Sequence, residues 1–278
     1  MPELPEVERA RSLAERVARG RTIAEVWCDD DRIVFDGVTP ARVRQKLTGA
    51  RIEEVRRRGK HLWFELDRSP HPLFHFGMTG SFFAPEAIPL QLASSPKHPD
   101  VAWPPRFRKI HLWFTDGGEL VMTNKRRLGR IRLRKEPLRE PPLNRLGFDP
   151  LLDLPTPRAF ASMLFRRSAT MKGLLLDQTF AAGVGNWIAD EVLYQAKIDP
   201  RRRANSLSSR EAERVRGRLR AVIHRAVEAD AESTKFPKSW LFHTRWGKNP
   251  EARTPRGERI EFLTLAGRTT AWVPGVQT

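Results

Sequence analysis

The chain of 278 residues sets 50 Lys+Arg against 33 Asp+Glu, a formal net charge of +17, and is 40% hydrophobic. That is enough for one large or two ordinary domains with real cores, no apolar run reaches bilayer length, and so large a positive excess points to a polyanionic partner, nucleic acid first. The single cysteine, Cys28, excludes an intramolecular disulfide and a cysteine-based zinc site, and is expected as a small buried residue at the end of a strand.

In chain order, residues 5–19 carry apolar residues near 3.6 spacing (Leu4, Val7, Ala10, Leu13, Ala14, Val17) and predict an amphipathic helix. From about 21 to 133 the pattern turns to strands: Thr22–Trp27, Ile52–Val55, His61–Leu66, Leu73–Phe76, Lys109–Phe114 and Glu119–Met122, the last two a hairpin through Asp116-Gly117-Gly118. Six prolines over 85–106 predict a surface loop. A Pro-rich stretch over 136–157 is expected to link a β-sandwich domain at 1–135 to a helical domain at 158–238 and a C-terminal finger at 239–278. Helices are predicted from Thr156-Pro157, over 184–196 and over 209–229, the last opened by a Ser208/Glu211 capping box with Ala212, Val215, Leu219, Val222, Ile223 and Ala226 as its apolar face. Strands return at Ile260–Leu265 and Thr269–Val273. The first twenty residues have no apolar core of the secretory kind, so export is not expected.

Met1-Pro2-Glu3-Leu4-Pro5-Glu6 carries the densest chemistry. Removal of the initiator Met makes Pro2 a free secondary amine beside two carboxylates, able to attack an electrophilic carbon in the manner of a Schiff-base lysine. Glu3 and Glu6, three apart at a helix start, share a face and are candidate proton carriers. Read alone, the same stretch is an ordinary solvated helix start. Gly183-Val184-Gly185-Asn186 opens a helix whose unpaired N–H groups suit phosphate, or is a tight turn with an Asn cap. Lys60 and His75 beside strands are phosphate donors, or a solvated lysine and a core histidine. Met78 between glycines is a wedge for a base stack, or core filler.

Four blocks in order, Pro2-Glu3-Leu4-Pro5-Glu6-Val7, Arg58-Gly59-Lys60-His61-Leu62, His75-Phe76-Gly77-Met78-Thr79-Gly80, and Leu174-Leu175-Leu176-Asp177-Gln178 through Gly183-Val184-Gly185-Asn186 to Glu191-Val192-Leu193, resemble the formamidopyrimidine-DNA glycosylase/endonuclease VIII family across nearly the whole chain. The resemblance implies an α+β, two-domain fold: an N-terminal helix and β-sandwich, then a helix–two-turns–helix domain and a finger hairpin, with DNA in the cleft between domains. It implies a bifunctional DNA glycosylase and abasic-site lyase acting by β,δ-elimination. Pro2, Glu3, Glu6 and Lys60 form the catalytic group, His75, Asn186 and Arg268 hold phosphates, and Met78, Arg126 and Leu128 fill the void left by the flipped nucleotide. The implied partner is double-stranded DNA bearing oxidised bases or abasic sites. The protein is implied to be monomeric, to need no cofactor, to avoid membranes, and to act in the cytoplasm or nucleoid of a bacterium or the nucleus of a eukaryote.

Two departures stand out. The family's D-x-R-R-F-G loop reads Asn124-Lys125-Arg126-Arg127-Leu128-Gly129 here, so Arg126 matches but Leu128 cannot stack as the family's ring does. The four cysteines of the bacterial zinc finger fall on Ala252, Pro255, Val273 and Val276, seventeen residues between the pairs, so no zinc is expected. This "zincless finger", also seen in plant and fungal relatives, is expected to be held by Ile260, Phe262, Leu265, Trp272 and Val273. The short segment Asp230–Lys238 leaves little room for the loop with which bacterial relatives cover 8-oxoguanine, so formamidopyrimidines and hydantoins are the expected substrates, 8-oxoguanine a weaker one. A non-catalytic DNA- or ribosome-binding protein with the same helical motif is the alternative; it has no need of Pro2-Glu3.

Overall fold

The computed structural model describes residues 2–85, 87 and 102–278. Most of the loop expected over 85–106 lies outside the described residues. The chain divides into two compact units, Met1–Arg145 and Leu146–Thr278. The division falls inside the Pro-rich stretch, which carries two single 3-10 turns, Pro137–Arg139 and Leu143–Arg145.

In the first unit, α1 (Leu4–Ala18) turns one face inward: Leu4, Val7, Ala10, Ala14 and Ala18 are buried. Two antiparallel sheets of four strands follow. One has the order β1 (Ile23–Cys28), β6 (Arg108–Phe114), β7 (Glu119–Thr123), β5 (Ser81–Phe83); the other has β2 (Ile52–Arg58), β3 (His61–Leu66), β4 (His71–His75), β8 (Arg130–Arg134). Both inner faces feed one core, with Ile23, Ile110, Leu112 and Met122 from the first sheet and Ile52, Leu62, Phe64 and Ile131 from the second, and α1 packs on β2, β3, β5 and β7. Burial pushes the Cys28 thiol up to about 12, an inert packed thiol.

Three elements escaped the sequence pattern. The short helix α2 (Pro40–Leu47) has Pro in its first turn and a Thr39 cap (3.2 Å to the Arg42 N–H), but only Val43 and Leu47 for an apolar face. β5 has three residues. β8 reads Arg-Ile-Arg-Leu-Arg, an alternation masked by its charge; Arg132 pairs with Asp36 at 2.8 Å.

The second unit packs α3 (Pro157–Phe165), α4 (Met171–Leu176), α5 (Asn186–Ala196) and α6 (Ser209–Glu228) with the hairpin β9 (Glu261–Leu265) and β10 (Arg268–Trp272). α6 buries the predicted face behind the predicted capping box. The two turns joining α4 to α5 are laced by Gln178, which donates to the carbonyls of Leu176 (2.9 Å) and Val184 (2.8 Å) and accepts from the Gly183 N–H (3.0 Å). Among the described residues no helix is long and apolar enough to cross a membrane.

Candidate active site

Pro2, Glu3 and Glu6 are all buried at the mouth of α1. Glu3 is the N-cap residue, and the Glu6 carboxylate accepts the Glu3 N–H at 2.9 Å in a capping box. The same local bond that starts the helix therefore holds two carboxyls one turn apart behind Pro2. Burial, and then repulsion from Glu3, raise the Glu6 pKa to about 7, so this site stores a proton near neutrality.

Lys60 sits in the turn between β2 and β3, beside Gly59 in the left-handed region (φ 58°). The turn is fixed from below: buried Arg57 donates to the Gly59 carbonyl (2.9 Å) and to Glu8 of α1 (2.7 Å). His75 ends β4, its ring 4.7 Å from that of His61. Burial, then the positive Lys60 and Arg132, lower the His75 pKa to about 4, and its Nδ1 accepts the Gly77 N–H at 3.3 Å. His75 is thus neutral, with its single N–H on Nε2: a donor to a phosphate, not a charge.

Met78 and the pair Arg126 and Leu128 come from two separate loops, which Asn124 joins. Fully buried, it donates to the Phe76 carbonyl (2.7 Å) and accepts the Gly129 N–H (2.9 Å). The fit leaves no space: a Cβ on Gly77 would lie 2.4 Å from the Leu128 backbone, and one on Gly80 2.6 Å from Asn124. Arg127 turns back, gripping Asp31 through two bonds of 2.8 and 3.0 Å, while Arg126 and Leu128 face solvent. Burial opposes the Asp31 charge, but Arg127 and Lys109 outweigh it and hold this carboxyl well below its ordinary range. Asn124, Asp31 and Arg127 were not singled out as functional by sequence reasoning; only the replaced Asp at 124 hinted at the first.

In the second unit, Asn186 is the first residue of α5 and Arg268 the first of β10. The Asn186 amide donates an N–H to the Thr269 carbonyl at 2.8 Å. Its Oδ1 is buried and has no hydrogen-bond partner among the described residues. The turn Ala266-Gly267 has both residues left-handed (φ 48° and 69°), the geometry of a tight hairpin, and leaves Arg268 exposed at its rim. Beneath lies an ion cluster that the sequence did not announce. Lys172 and Arg245 both pair with fully buried Asp190, Lys172 also donates to the Asn186 carbonyl (2.9 Å), and Asp190 accepts the Ala271 N–H of β10 (3.1 Å). It ties α4, α5 and the hairpin together under Asn186 and Arg268.

Three of the positions aligned with zinc cysteines carry apolar packing instead: Ala252 and Val273 belong to a core cluster with Tyr194, Leu241, Ile260 and Ala271, and Val276 packs against it, as does Phe262. Pro255 is exposed. Of the expected supports, Leu265 is only half-buried and outside this cluster, and Trp272 is covered from another side by Arg201, 4.3 Å from its ring. The Tyr194 hydroxyl adds a bond to Glu258 at 2.9 Å.

Comparison with known proteins assigns the chain to a family. The family models described as the formamidopyrimidine-DNA glycosylase N-terminal domain and its H2TH domain match residues 1–131 and 146–238. A formamidopyrimidine-DNA glycosylase of Arabidopsis thaliana is 42% identical over 277 residues, all of this chain and 71% of that protein; one of Geobacillus kaustophilus is 34% identical over the whole of both. A crystal structure of the Lactococcus lactis enzyme bound non-covalently to DNA containing an abasic site is 26% identical, covers 99% of each chain and superposes with a TM-score of 0.81. The chain belongs to the formamidopyrimidine-DNA glycosylase family and is a DNA glycosylase of base excision repair.

Proposed function

We propose that the chain excises oxidised bases from double-stranded DNA and then cleaves the strand, with the amine of Pro2 as nucleophile once Met1 is removed. The observation that carries this reading is the buried Glu3–Glu6 pair behind Pro2, with the Glu6 pKa raised to about 7, so that its carboxyl can take and give a proton near neutrality. The amine attacks C1′ of the flipped nucleotide as the C1′–N bond breaks and the base leaves with a proton. Glu3 serves as the acid that opens the sugar ring; the resulting iminium makes the 2′ proton acidic, so the 3′ phosphate departs by β-elimination, and loss of the 4′ proton from the conjugated iminium then expels the 5′ phosphate. Glu6 holds Glu3 in place and buffers the proton. No metal is needed at any step.

Lys60, neutral His75, Asn186 and Arg268, together with the N–H groups opening α5, act as phosphate donors. Met78, Arg126 and Leu128, clipped together by Asn124, occupy the void. The preference for formamidopyrimidines and hydantoins over 8-oxoguanine is supported by the segment after α6. It is a compact turn, with Ala231 N–H bonded back to Ala226 (2.8 Å) and Phe236 buried among Trp187, Trp240 and Phe242. Borohydride reduction on a duplex with an abasic site tests the central step: a covalent adduct mapping to Pro2 is expected, and an active protein that yields none rules the nucleophile out. Single-turnover rates for each lesion opposite cytosine test the preference, and equal rates for 8-oxoguanine and guanidinohydantoin refute it.

A further inference from the structure

We propose that Phe107 is a base-stacking residue of the lesion site, supplying the ring that Leu128 does not. The inference rests on the proposed function, in that it takes the loop of Arg126 and Leu128 to meet damaged DNA. Phe107 stands immediately before β6 with its backbone in the left-handed region (φ 62°), a strained state for a bulky residue. Its side chain is 47% exposed and forms no part of the first unit's core cluster. Among the described residues, neither membership of the core nor backbone preference accounts for a phenylalanine at this place, where a glycine would sit without strain.

Its position is tied to the void-filling loops. The Phe107 carbonyl accepts the N–H of Asn124 at 3.0 Å, and Asn124 is the residue that joins the Met78 loop to the Arg126–Leu128 loop. The Lys125 ammonium lies 5.5 Å from the ring centroid and the Arg106 guanidinium 5.4 Å, both on exposed side chains. A solvent-facing ring between two long cations is the composition of a single-strand platform: the cations can swing to phosphate and uncover a π-face for an unstacked base. The ligand class is a nucleobase beside the emptied position, of any identity, since stacking reads no hydrogen-bond pattern. Leu128, exposed on the neighbouring Arg126–Leu128 loop, has no ring to stack.

The test compares wild type, Phe107→Gly and Phe107→Trp for equilibrium binding to a duplex with a tetrahydrofuran abasic analogue and to the same duplex undamaged, at one salt concentration, with thermal melting of each protein. Phe107→Gly is expected to melt no lower than wild type, because it relieves the left-handed strain. It is also expected to bind the abasic duplex roughly 5- to 150-fold more weakly, the range of one base–aromatic stack, while its hold on undamaged DNA changes little. Phe107→Trp retains binding. A Phe107→Gly protein that binds the abasic duplex like wild type, or weakens equally on both duplexes, overturns the inference alone; so does a Phe107→Trp protein as weak as Phe107→Gly. Wild type that does not distinguish the two duplexes removes the lesion-site reading, and this inference with it.

Discussion

Each unit buries a glutamate whose pKa is pushed up to about 7, Glu6 in the first and Glu191 in the second, and the two environments are built for different ends. Burial is the main cause in both. On Glu6 the next is another carboxyl, Glu3, in the same helical turn and beside Pro2. Glu191 instead sits in a framework that satisfies it, accepting the Gln195 amide and the Phe242 N–H, both at 2.8 Å, with Arg245 also favouring its charge. A displaced pKa therefore does not by itself mark chemistry. What distinguishes the first unit is an acid beside an acid beside the proposed nucleophile, Pro2. The second unit balances its buried charges in the Lys172–Asp190–Arg245 cluster and uses them to hold a surface in shape.

The sharpest way to separate the two is to remove one acid from each. Glu3→Gln is expected to lower single-turnover base excision by about 10²- to 10⁴-fold while abasic-duplex affinity stays within a few-fold; excision at near wild-type rate removes Glu3 from its role. Asp190→Ala leaves the Lys172 and Arg245 charges buried without their partner and is expected to cost roughly 3–5 kcal/mol in urea unfolding. Replacing all three by Met or Leu is expected to cost far less, because no charge is then stranded. If the single and triple variants unfold alike, the cluster is not what holds the hairpin.

Arg268→Ala is expected to weaken binding to damaged and undamaged duplexes about equally and to lower the salt slope by about one; an altered ranking of lesions points to base readout instead. The pH effect acts on stability. Because the folded pKa of Glu6 and of Glu191 is raised, the folded state holds protons that the unfolded chain releases above about 4.5. Their contribution to stability is full below that value and is lost as pH rises through about 7. Each is expected to contribute up to roughly 3 kcal/mol over this window. Glu6→Gln and Glu191→Gln should each flatten the melting temperature between pH 5 and 8, and only Glu6→Gln should also shift the pH–rate profile. Smallest of all, a chelator is expected to change neither melting nor activity, since Ala252, Val273 and Val276 occupy the finger with apolar packing; stoichiometric zinc by elemental analysis would contradict this.

Asn124 shows where reading the sequence stops. As a replaced residue in a familiar loop it stood out, yet nothing adjacent to it says that it grips Phe76, 48 residues away. Arg126 and Arg127 are neighbours of one type, and only the fold assigns the first to solvent and the second to Asp31, 96 residues away. His75 was legible as a donor, but its tautomer and neutrality depend on Gly77, Lys60 and Arg132 around it.

The sequence by itself determined whatever is written in contiguous residues: the Glu3/Glu6 and Ser208/Glu211 spacings, the apolar faces of α1 and α6, the Asp116-Gly117-Gly118 hairpin, and the Gly-rich start of α5. Each follows from the 3.6- or 2-residue period or from the backbone freedom of glycine, which act over a few residues. The tertiary structure alone decided β8, the Asn124 clip, the Asp31–Arg127 anchor and the Asp190 cluster, whose bonds to Arg245 and Ala271 span 55 and 81 residues. A buried charge or amide is stable only where partners converge on it in space, and that convergence is a property of packing rather than of any local pattern.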